Sequence, residues 1–196
     1  MRSIILKKAA DFLETLLITF FVVVMIFTFC LRIFTVKGES MENTLIQGDI
    51  VIVEHLPFFS YKQGDIIVAD IDKAGLLDEN GAVYQKDVQN VTIIKRIIAV
   101  EGQTVGIDFT KGRLYIDGKP FAENYISGLT HLDEGAFTGQ YPITIPKGYL
   151  FVMGDNRRNS LDSRSDEIGL VSKDSVVGKV LVRVLPFDKF GVLNKN

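Results

Sequence analysis

The sequence has few residues that could form covalent cross-links or bind a metal. It contains one cysteine, Cys30, so no disulfide can form within the chain. Its two histidines, His55 and His131, have no neighbouring histidine, cysteine or acidic residue at the spacing of a metal site. We therefore predict no metal and no cofactor, and we expect both histidines to be structural or to lie on the surface.

Charge of one sign is not in excess either. The 22 lysines and arginines are balanced by 24 aspartates and glutamates, and the pI is about 5.7. Nucleic-acid-binding domains usually carry a strong basic patch and a high pI. The composition therefore gives no indication of a nucleic-acid partner.

Charge is absent from residues 15–31, which read TLLITFFVVVMIFTFCL. A bilayer needs about 20 apolar residues, and flanking apolar residues extend this run while Glu14 and Arg32 can snorkel at its ends. We predict a transmembrane helix over residues 13–34 that contacts membrane lipid. The run is long and bulky and is not followed by small residues, so we interpret it as an uncleaved anchor and not as a cleaved signal peptide.

Positive charges set the expected orientation of this anchor. Arg2, Lys7 and Lys8 precede it, which favours a cytoplasmic N-terminus over residues 1–12, although Arg32 and Lys37 on the other side weaken the bias. No later segment is long and apolar enough to cross again. The expectation is a single-pass protein of the cytoplasmic membrane with residues 35–196 outside.

The remainder of the chain is rich in Val, Ile and Gly and contains short strand-like runs bounded by turn residues. It is predicted to be a mainly β, antiparallel domain. Residues 103–147 change character and include a hairpin signal at Arg113–Pro120, so we expect a small β insertion or cap there. Residues 70–90 are polar and turn-rich, which indicates an exposed loop or a hairpin extension. The most continuous strand-like runs are at residues 49–54, 64–69, 92–100, 148–153 and 176–185.

Two cations, Lys95 and Arg96, lie at the centre of the apolar run 92–100. Side chains alternate along a strand, so these two must point to opposite faces, and one is expected to enter the interior. A buried ammonium either pairs with a carboxylate or loses its proton. The alternative is that both side chains snorkel to the edges of the sheet.

Residues 154–164 place aspartates, asparagines, arginines and serines directly after a predicted strand. A calcium loop is disfavoured because Arg157 and Arg164 follow Asp155 and Asp162 by two, where a metal loop needs oxygen ligands. We instead expect a polar network in which arginines and turn N–H groups hold the aspartates and fix a serine hydroxyl. A purely structural corner would look the same.

The polar turn after the anchor contains Ser40, which by itself would be read as a residue that caps the backbone. Together with a lysine in an apolar strand and no usable histidine, it suggests another role. A serine nucleophile can use a lysine as its base if burial keeps the lysine neutral, which is the Ser-Lys variant of the catalytic triad. The four isoleucines around Lys95 can supply that apolar environment.

Four segments closely resemble, in the same order, the sequence boxes of bacterial type I signal peptidases. The resemblance covers the anchor and nearly all of the following domain, and a short chain with one span resembles the Gram-positive form. The segments are Ser40–Leu45 (SMENTL), Gly64–Val68 (GDIIV), Lys95–Gly102 (KRIIAVEG) and Gly154–Arg164 (GDNRRNSLDSR).

The resemblance implies a role for each matching residue. Ser40 would be the nucleophile and its N–H the oxyanion donor, Lys95 the general base, and Ser160 the hydroxyl that orients the lysine. The resemblance and their apolar placement near Ser40 and Lys95 also indicate walls of shallow substrate pockets. The supporting network would be Asp155, Arg157, Asp162 and Arg164, and the pocket walls Phe34, Val36, Met41, Val68 and Ile94.

Two positions depart from the family pattern. Asn43 stands where the family usually has proline, and because asparagine is a good turn former we expect the geometry of the turn to be retained. Gly38 stands where some members carry a serine hydroxyl that donates to the oxyanion. Other members also carry glycine there, so the oxyanion would depend on backbone N–H groups.

The sequence therefore predicts a membrane-anchored serine endopeptidase that removes signal peptides from preproteins. A self-cleaving repressor-like domain shares the Ser-Lys pair, but the anchor and the lack of a DNA-binding region speak against it. The alternatives from another class are a membrane-tethered β binding module without turnover and a pilus-assembly accessory of the same fold.

Overall fold

The computed structural model describes residues 2–55 and 60–193, and the parts of the predicted segments at residues 1, 56–59 and 194–196 lie outside them. Within the described residues the chain forms one long helix, twelve strands and two short 3-10 helices. The helix α1 spans Arg2–Phe29, and the 3-10 helices span Lys173–Ser175 and Phe187–Lys189. The strands are β1 (Leu31–Thr35), β2 (Ile50–Glu54), β3 (Ile66–Leu77), β4 (Val83–Val100), β5 (Thr104–Asp108), β6 (Arg113–Ile116), β7 (Lys119–Pro120), β8 (Ile143–Thr144), β9 (Tyr149–Met153), β10 (Val171–Ser172), β11 (Val176–Leu185) and β12 (Gly191–Val192).

The helix α1 is free of charged residues from Thr15 to its end at Phe29, and the residues from Leu6 to Phe29 are exposed. Its segment Leu6–Phe29 has 24 residues, and an 18-residue stretch within it has a mean hydropathy of 2.4 and is not buried at all. At 1.5 Å per residue this segment is about 36 Å long, which exceeds the roughly 30 Å of a hydrocarbon core. By length and composition it can cross a membrane.

The C-terminal end of the predicted helix, residues 31–34, is instead strand. Leu31–Thr35 pairs with β2 in antiparallel register, from Leu31 opposite Glu54 to Thr35 opposite Ile50. The apolar residues here suit a helix or a strand, and the pairing with β2 decides between them because Phe34 can then pack on the core of the domain. Cys30 alone separates helix from strand, and its carbonyl accepts a hydrogen bond of 2.9 Å from the His55 N–H.

The larger sheet carries the site. Its strand order is β1-β2-β11-β3-β4-β9-β10, with β12 beside β11, and all of these pairings are antiparallel, as predicted. Strands β3 and β4 remain paired from Ile66 opposite Arg96 to Leu77 opposite Val83. Of the two alternatives for residues 70–90, the hairpin extension is therefore the one that forms.

The insertion forms the smaller sheet, with the order β7-β6-β5-β8. Its hairpin between β6 and β7 lies within the predicted hairpin signal. The two turn residues, Asp117 and Gly118, have φ of 50° and 74°. A two-residue turn with positive φ at both positions matches the twist of the flanking strands, which explains the Asp-Gly pair.

The described residues form three apolar clusters, and one of them lies directly beneath the turn that contains Ser40. Two residues of the turn, Met41 and Leu45, are 1% and 0% exposed, and each such burial stabilises the fold by about 1.5–3 kcal/mol. These two side chains therefore hold the turn against the sheet. The cluster comprises Val36, Met41, Leu45, Val51, Val53, Ile66, Val68 and Val180, with Phe34, Ile94, Val177 and Leu193 packed against it.

Candidate active site

The turn that carries Ser40 is held by the polar loop as well as by the core. The Leu45 N–H donates to the Met41 carbonyl at 2.8 Å, which closes the turn on itself. The N–H of Asn156 donates to the Ser40 carbonyl at 2.9 Å. Backbone bonds thus connect the serine to the loop 154–164, far away in the sequence.

Lys95 extends from β4 towards this turn. Its Nζ lies 2.7 Å from the Ser40 Oγ and 3.1 Å from the Ile94 carbonyl oxygen, and the residue is only 4% exposed. Burial lowers the pKa of Lys95 to about 8, although the charges of Asp162 and Asp155 act in the opposite direction. About a tenth of the Lys95 side chains are therefore neutral at pH 7, and neutral lysine can accept a proton.

Arg96 leaves β4 on the opposite face and is also buried, at 6% exposure. Its Nε and Nη2 bind the two carboxylate oxygens of Asp155 at 2.9 and 2.7 Å, and the hydroxyl of Thr44 donates to the same carboxylate. The expectation that one cation enters the interior is exceeded, because both do. The snorkelling alternative is wrong.

A second buried pair joins Asp162 and Arg164. Arg164 donates from Nε and Nη2 to the two carboxylate oxygens of Asp162, both at 2.9 Å. Burial alone would raise the pKa of Asp162, but the Arg164 hydrogen bond and charge lower it below its usual value. The carboxylate is therefore ionised, and the Ser160 hydroxyl donates to it at 2.8 Å. This bond fixes the Ser160 hydroxyl, and its predicted role in orienting Lys95 stays a prediction.

Arg157 is fully buried and turns away from the aspartates of its own loop. Its guanidinium binds the carboxylate of Glu123 and, at 2.9 Å, the hydroxyl of Thr130, both in the insertion. The polar network predicted within residues 154–164 therefore includes two partners from outside this loop. Arg96 pairs with Asp155, and Glu123 pairs with Arg157. No periodicity or spacing in the irregular stretch around Glu123 indicates this role.

Gly154 lies against Ser40, Ser160 and Asp162. A Cβ at this position would lie under 3.0 Å from both the Ser160 Oγ and the Ser40 carbonyl oxygen. Its N–H donates to Asp162 at 3.0 Å. Only glycine allows the backbone to approach the two serines this closely.

Asn43 adopts a conformation that proline cannot. Its φ is 81°, whereas the proline ring fixes φ near −65°. The expectation that the geometry of a proline-containing turn is retained does not hold at this residue. Asparagine is among the few non-glycine residues that tolerate a positive φ.

A groove of about 500 Å³ runs past Ser40 and Lys95. Three of the predicted pocket residues, Val36, Met41 and Ile94, line it. The other two, Phe34 and Val68, belong to the apolar cluster beneath. The groove is also lined by residues that the sequence did not indicate, among them Gln47, Val91, Thr92, Asn159 and Leu161.

Comparison with known proteins gives a family to this arrangement. The family described as "Signal peptidase, peptidase S26" matches residues 9–185. The chain is 32% identical to signal peptidase IB of Staphylococcus aureus over 94% of this chain and 93% of the relative. It is also 32% identical to signal peptidase I P of Bacillus subtilis subsp. natto, over 91% and 90%.

A solved structure of a signal peptidase I from Enterococcus faecalis is also similar. It is 25% identical, has a TM-score of 0.42, and the match covers 62% of this chain and 97% of that one.

The family model matches most of the chain, and the relatives are 32% identical to it over the matched residues, so the protein is a serine peptidase, a hydrolase. Its apolar N-terminal helix suits a membrane-anchored protein. The chain belongs to the signal peptidase family, peptidase S26.

Proposed function

We propose that this chain is a membrane-anchored endopeptidase that cleaves N-terminal signal peptides from exported preproteins, with Ser40 as nucleophile and Lys95 as general base. One observation carries this assignment. The Lys95 Nζ lies 2.7 Å from the Ser40 Oγ inside an apolar strand, where burial lowers the lysine pKa to about 8.

In the first half of the reaction, neutral Lys95 takes the proton of the Ser40 hydroxyl while Oγ attacks the scissile carbonyl. The distance between the two atoms is within hydrogen-bond reach, so no rearrangement is needed for this transfer. The resulting ammonium donates its proton to the leaving amine as the peptide bond breaks. The preprotein's mature part leaves, and an acyl-enzyme on Ser40 remains.

In the second half, Lys95 is neutral again and accepts a proton from a water molecule that attacks the acyl-enzyme. The ammonium then returns this proton to the Ser40 Oγ as the ester bond breaks, and the cleaved signal peptide leaves with a new carboxyl end. The oxyanion of both steps is assigned to the Ser40 N–H, since residue 38 is a glycine and offers no hydroxyl. Asp155 and Asp162, each paired with an arginine, keep the surroundings of Lys95 rigid.

The groove suits a substrate in extended conformation. Strand β4 pairs with β9 only from Arg96 to Val100, whereas the groove follows residues 91–95 of the same strand. A peptide laid there can bond to the backbone of β4 as an added strand. Small residues one and three positions before the cut would enter the shallow apolar pockets walled by Val36, Met41 and Ile94.

For the membrane arrangement we assign the N-terminal end of α1 to the cytoplasmic side and the β domain to the outer side. The charges Arg2, Lys7 and Lys8 before the apolar segment support this orientation. The site would then meet preproteins whose own apolar segments are still in the bilayer.

The assignment of the two residues is tested with purified full-length protein in detergent and a preprotein substrate. Ser40→Ala and Lys95→Ala are each expected to reduce cleavage by at least 10³-fold, because removing a member of such a unit removes most of its effect. Thermal unfolding establishes that both variants are folded. Cleavage close to the wild-type rate by either folded variant contradicts the mechanism.

The alternative of a binding module is separated by covalent chemistry. A serine-directed acylating agent should add its mass to a Ser40-containing peptide of the wild type and to no peptide of Ser40→Ala.

The orientation is tested with spheroplasts, in which added protease should degrade the β domain. Protection of this domain until the membrane is permeabilised contradicts the proposed sidedness.

A further inference from the structure

Residues 121–137 of the insertion, here called the brace segment, lie along the polar loop 154–164. Their backbones are joined directly: the Ser127 N–H donates to the Asp155 carbonyl at 3.0 Å, and the Ala136 N–H donates to the Arg164 carbonyl at 2.9 Å. A further bridge pairs Gly135 with Ser165. The brace segment therefore contacts the loop at both of its ends.

The strongest contact between the two is the ion pair of Glu123 with Arg157. Their side chains are 5% and 0% exposed, and both nitrogens at the end of the guanidinium bind the carboxylate. Thr130, itself 0% exposed, accepts a further hydrogen bond from Arg157 at 2.9 Å. A buried arginine that lost Glu123 would keep an uncompensated charge, so this pair is strongly constrained in position.

Arg157 is connected to Ser40 and Ser160 through Gly154. Its Nε donates to the Gly154 carbonyl at 2.9 Å. The Cα of Gly154 packs so closely against the Ser160 hydroxyl and the Ser40 carbonyl that no Cβ fits between them. A shift of Arg157 would therefore move Gly154 and, with it, the atoms that fix Ser40.

A second connection runs from Glu123 to the strand of Lys95. The Tyr125 hydroxyl donates to the Glu123 carboxylate at 3.1 Å, and the Tyr125 ring lies beneath the Arg96 guanidinium, 4.1 Å from its centroid. Such a cation–π contact is worth about 0.5–2 kcal/mol. Arg96 directly follows Lys95 in β4, so Glu123 contacts groups that hold both halves of the Ser40–Lys95 pair.

We propose that Glu123 is a positioning residue for the cleavage reaction, which acts through Arg157 and Gly154 on Ser40, and that the brace segment belongs to the catalytic machinery. This rests on the proposed roles of Ser40 and Lys95. The insertion then has a task besides any contact with substrate, because it sets the geometry of the nucleophile.

The test measures kcat and KM separately on a synthetic peptide that spans a signal-peptide cleavage site, using full-length Glu123→Gln. Because a misplacement of about 1 Å can cost about 100-fold in rate, kcat is expected to fall roughly 10- to 100-fold while KM changes less than about threefold. Assays run well below the measured unfolding temperature, where the variant is folded. A role limited to stability would lower the unfolding temperature and leave kcat of the folded enzyme unchanged, and that result overturns the proposal.

The matched control is Asp108→Asn. Asp108 is an ion-paired carboxylate of the same insertion, but it binds Lys111 within its own turn. It should leave kcat unchanged, and an equal loss of kcat in this control would overturn the specific role of Glu123.

If Glu123→Gln does not fold, Thr130→Val decides. It removes one hydrogen bond to Arg157 and keeps the shape of the side chain, so a fall in kcat of about threefold or more at constant KM supports the proposal, and an unchanged kcat overturns it.

Ser40→Ala is measured beside these variants. If Ser40→Ala cleaves normally, the proposed function fails; if it is inactive while Glu123→Gln keeps its kcat, only the positioning role fails.

Discussion

Lys95 and Arg96 are neighbours in β4, yet their charged ends bind different parts of the chain. The Lys95 Nζ reaches the Ser40 Oγ at 2.7 Å, and the Arg96 guanidinium holds both carboxylate oxygens of Asp155. Because side chains alternate along a strand, neighbouring residues can contact Ser40 on one face and the loop 154–164 on the other. This relationship leads to the first two predictions.

The activity should rise with pH through an apparent pKa of about 8. Burial lowers the pKa of Lys95 to about 8, and only the neutral amine can take the proton of Ser40, so the competent fraction increases as pH rises. The measurement is kcat/KM on a synthetic peptide between pH 6 and 10. A rate that is independent of pH from 6 to 9, with the protein folded throughout, would show that Lys95 is not the titrating base.

Replacing Lys95 by methionine should abolish cleavage and increase stability. The folded pKa of about 8 lies below the ordinary 10.5, so the folded state binds fewer protons between these values and stability rises with pH there. At pH 7 most of the buried lysine is charged, and burying this charge lowers the free energy of unfolding. A neutral side chain of similar volume removes that penalty and should raise the free energy of unfolding by roughly 1–3 kcal/mol.

Chemical denaturation at pH 7 and at pH 10 measures this effect. The difference between Lys95→Met and wild type should be larger at pH 7, since the wild-type lysine is neutral at the higher pH. The exposed Lys62 serves as control, and Lys62→Met should change the free energy of unfolding by less than about 0.5 kcal/mol. A Lys95→Met variant that is less stable than wild type at pH 7 contradicts this account of the buried lysine.

A methyl group at Gly154 should inactivate the enzyme. The Cβ of Gly154→Ala would lie under 3.0 Å from the Ser160 hydroxyl and the Ser40 carbonyl, so one of them must move. We expect cleavage to fall at least 100-fold, a loss typical of a misplaced catalytic group. Gly106→Ala is the control, because its Cβ would meet no atom closer than 3.6 Å and should be tolerated.

Restoring the family's proline at residue 43 should damage this protein. With φ at 81°, Asn43 cannot be replaced by proline without rebuilding the turn that contains Ser40. Asn43→Gly, which accepts the same φ, should keep activity within a few fold. Cleavage rates and unfolding temperatures of both variants provide the test, and a fully active, equally stable Asn43→Pro would show that the turn is not confined to this conformation.

Much of the fold follows from apolar patterns in the sequence. The apolar segment in α1 and the strands around Lys95 and at Val176–Leu185 carry long, consistent signals, and the structure has helix and strands there. The end of the helix was predicted wrongly because residues 31–34 suit either structure. Their choice depends on β2, which lies some twenty residues further on and exerts no local signal.

The site divides in the same way. Three features are visible in the sequence because polar residues directly follow or interrupt apolar segments. They are Ser40 in the turn after the anchor, Lys95 within an apolar strand, and the loop 154–164 after a strand. The partners that complete the network are not visible in this way: Glu123 lies 34 residues from Arg157 in an irregular stretch, and Thr44 looks like any turn threonine. Pairings set only by three-dimensional packing leave no periodicity in one sequence.

The long sequence separations across the site also bear on when it can form. Lys95 and Ser40 are 55 residues apart, Thr44 and Asp155 are 111 apart, and Arg183 closes on the Thr44 carbonyl across 139 residues. Contacts of this kind require long loops to close, which costs conformational entropy and slows folding relative to contacts between near neighbours. Ser40 and Lys95 therefore have no local precursor in the sequence, and their contact depends on the sheet that holds β4 in place.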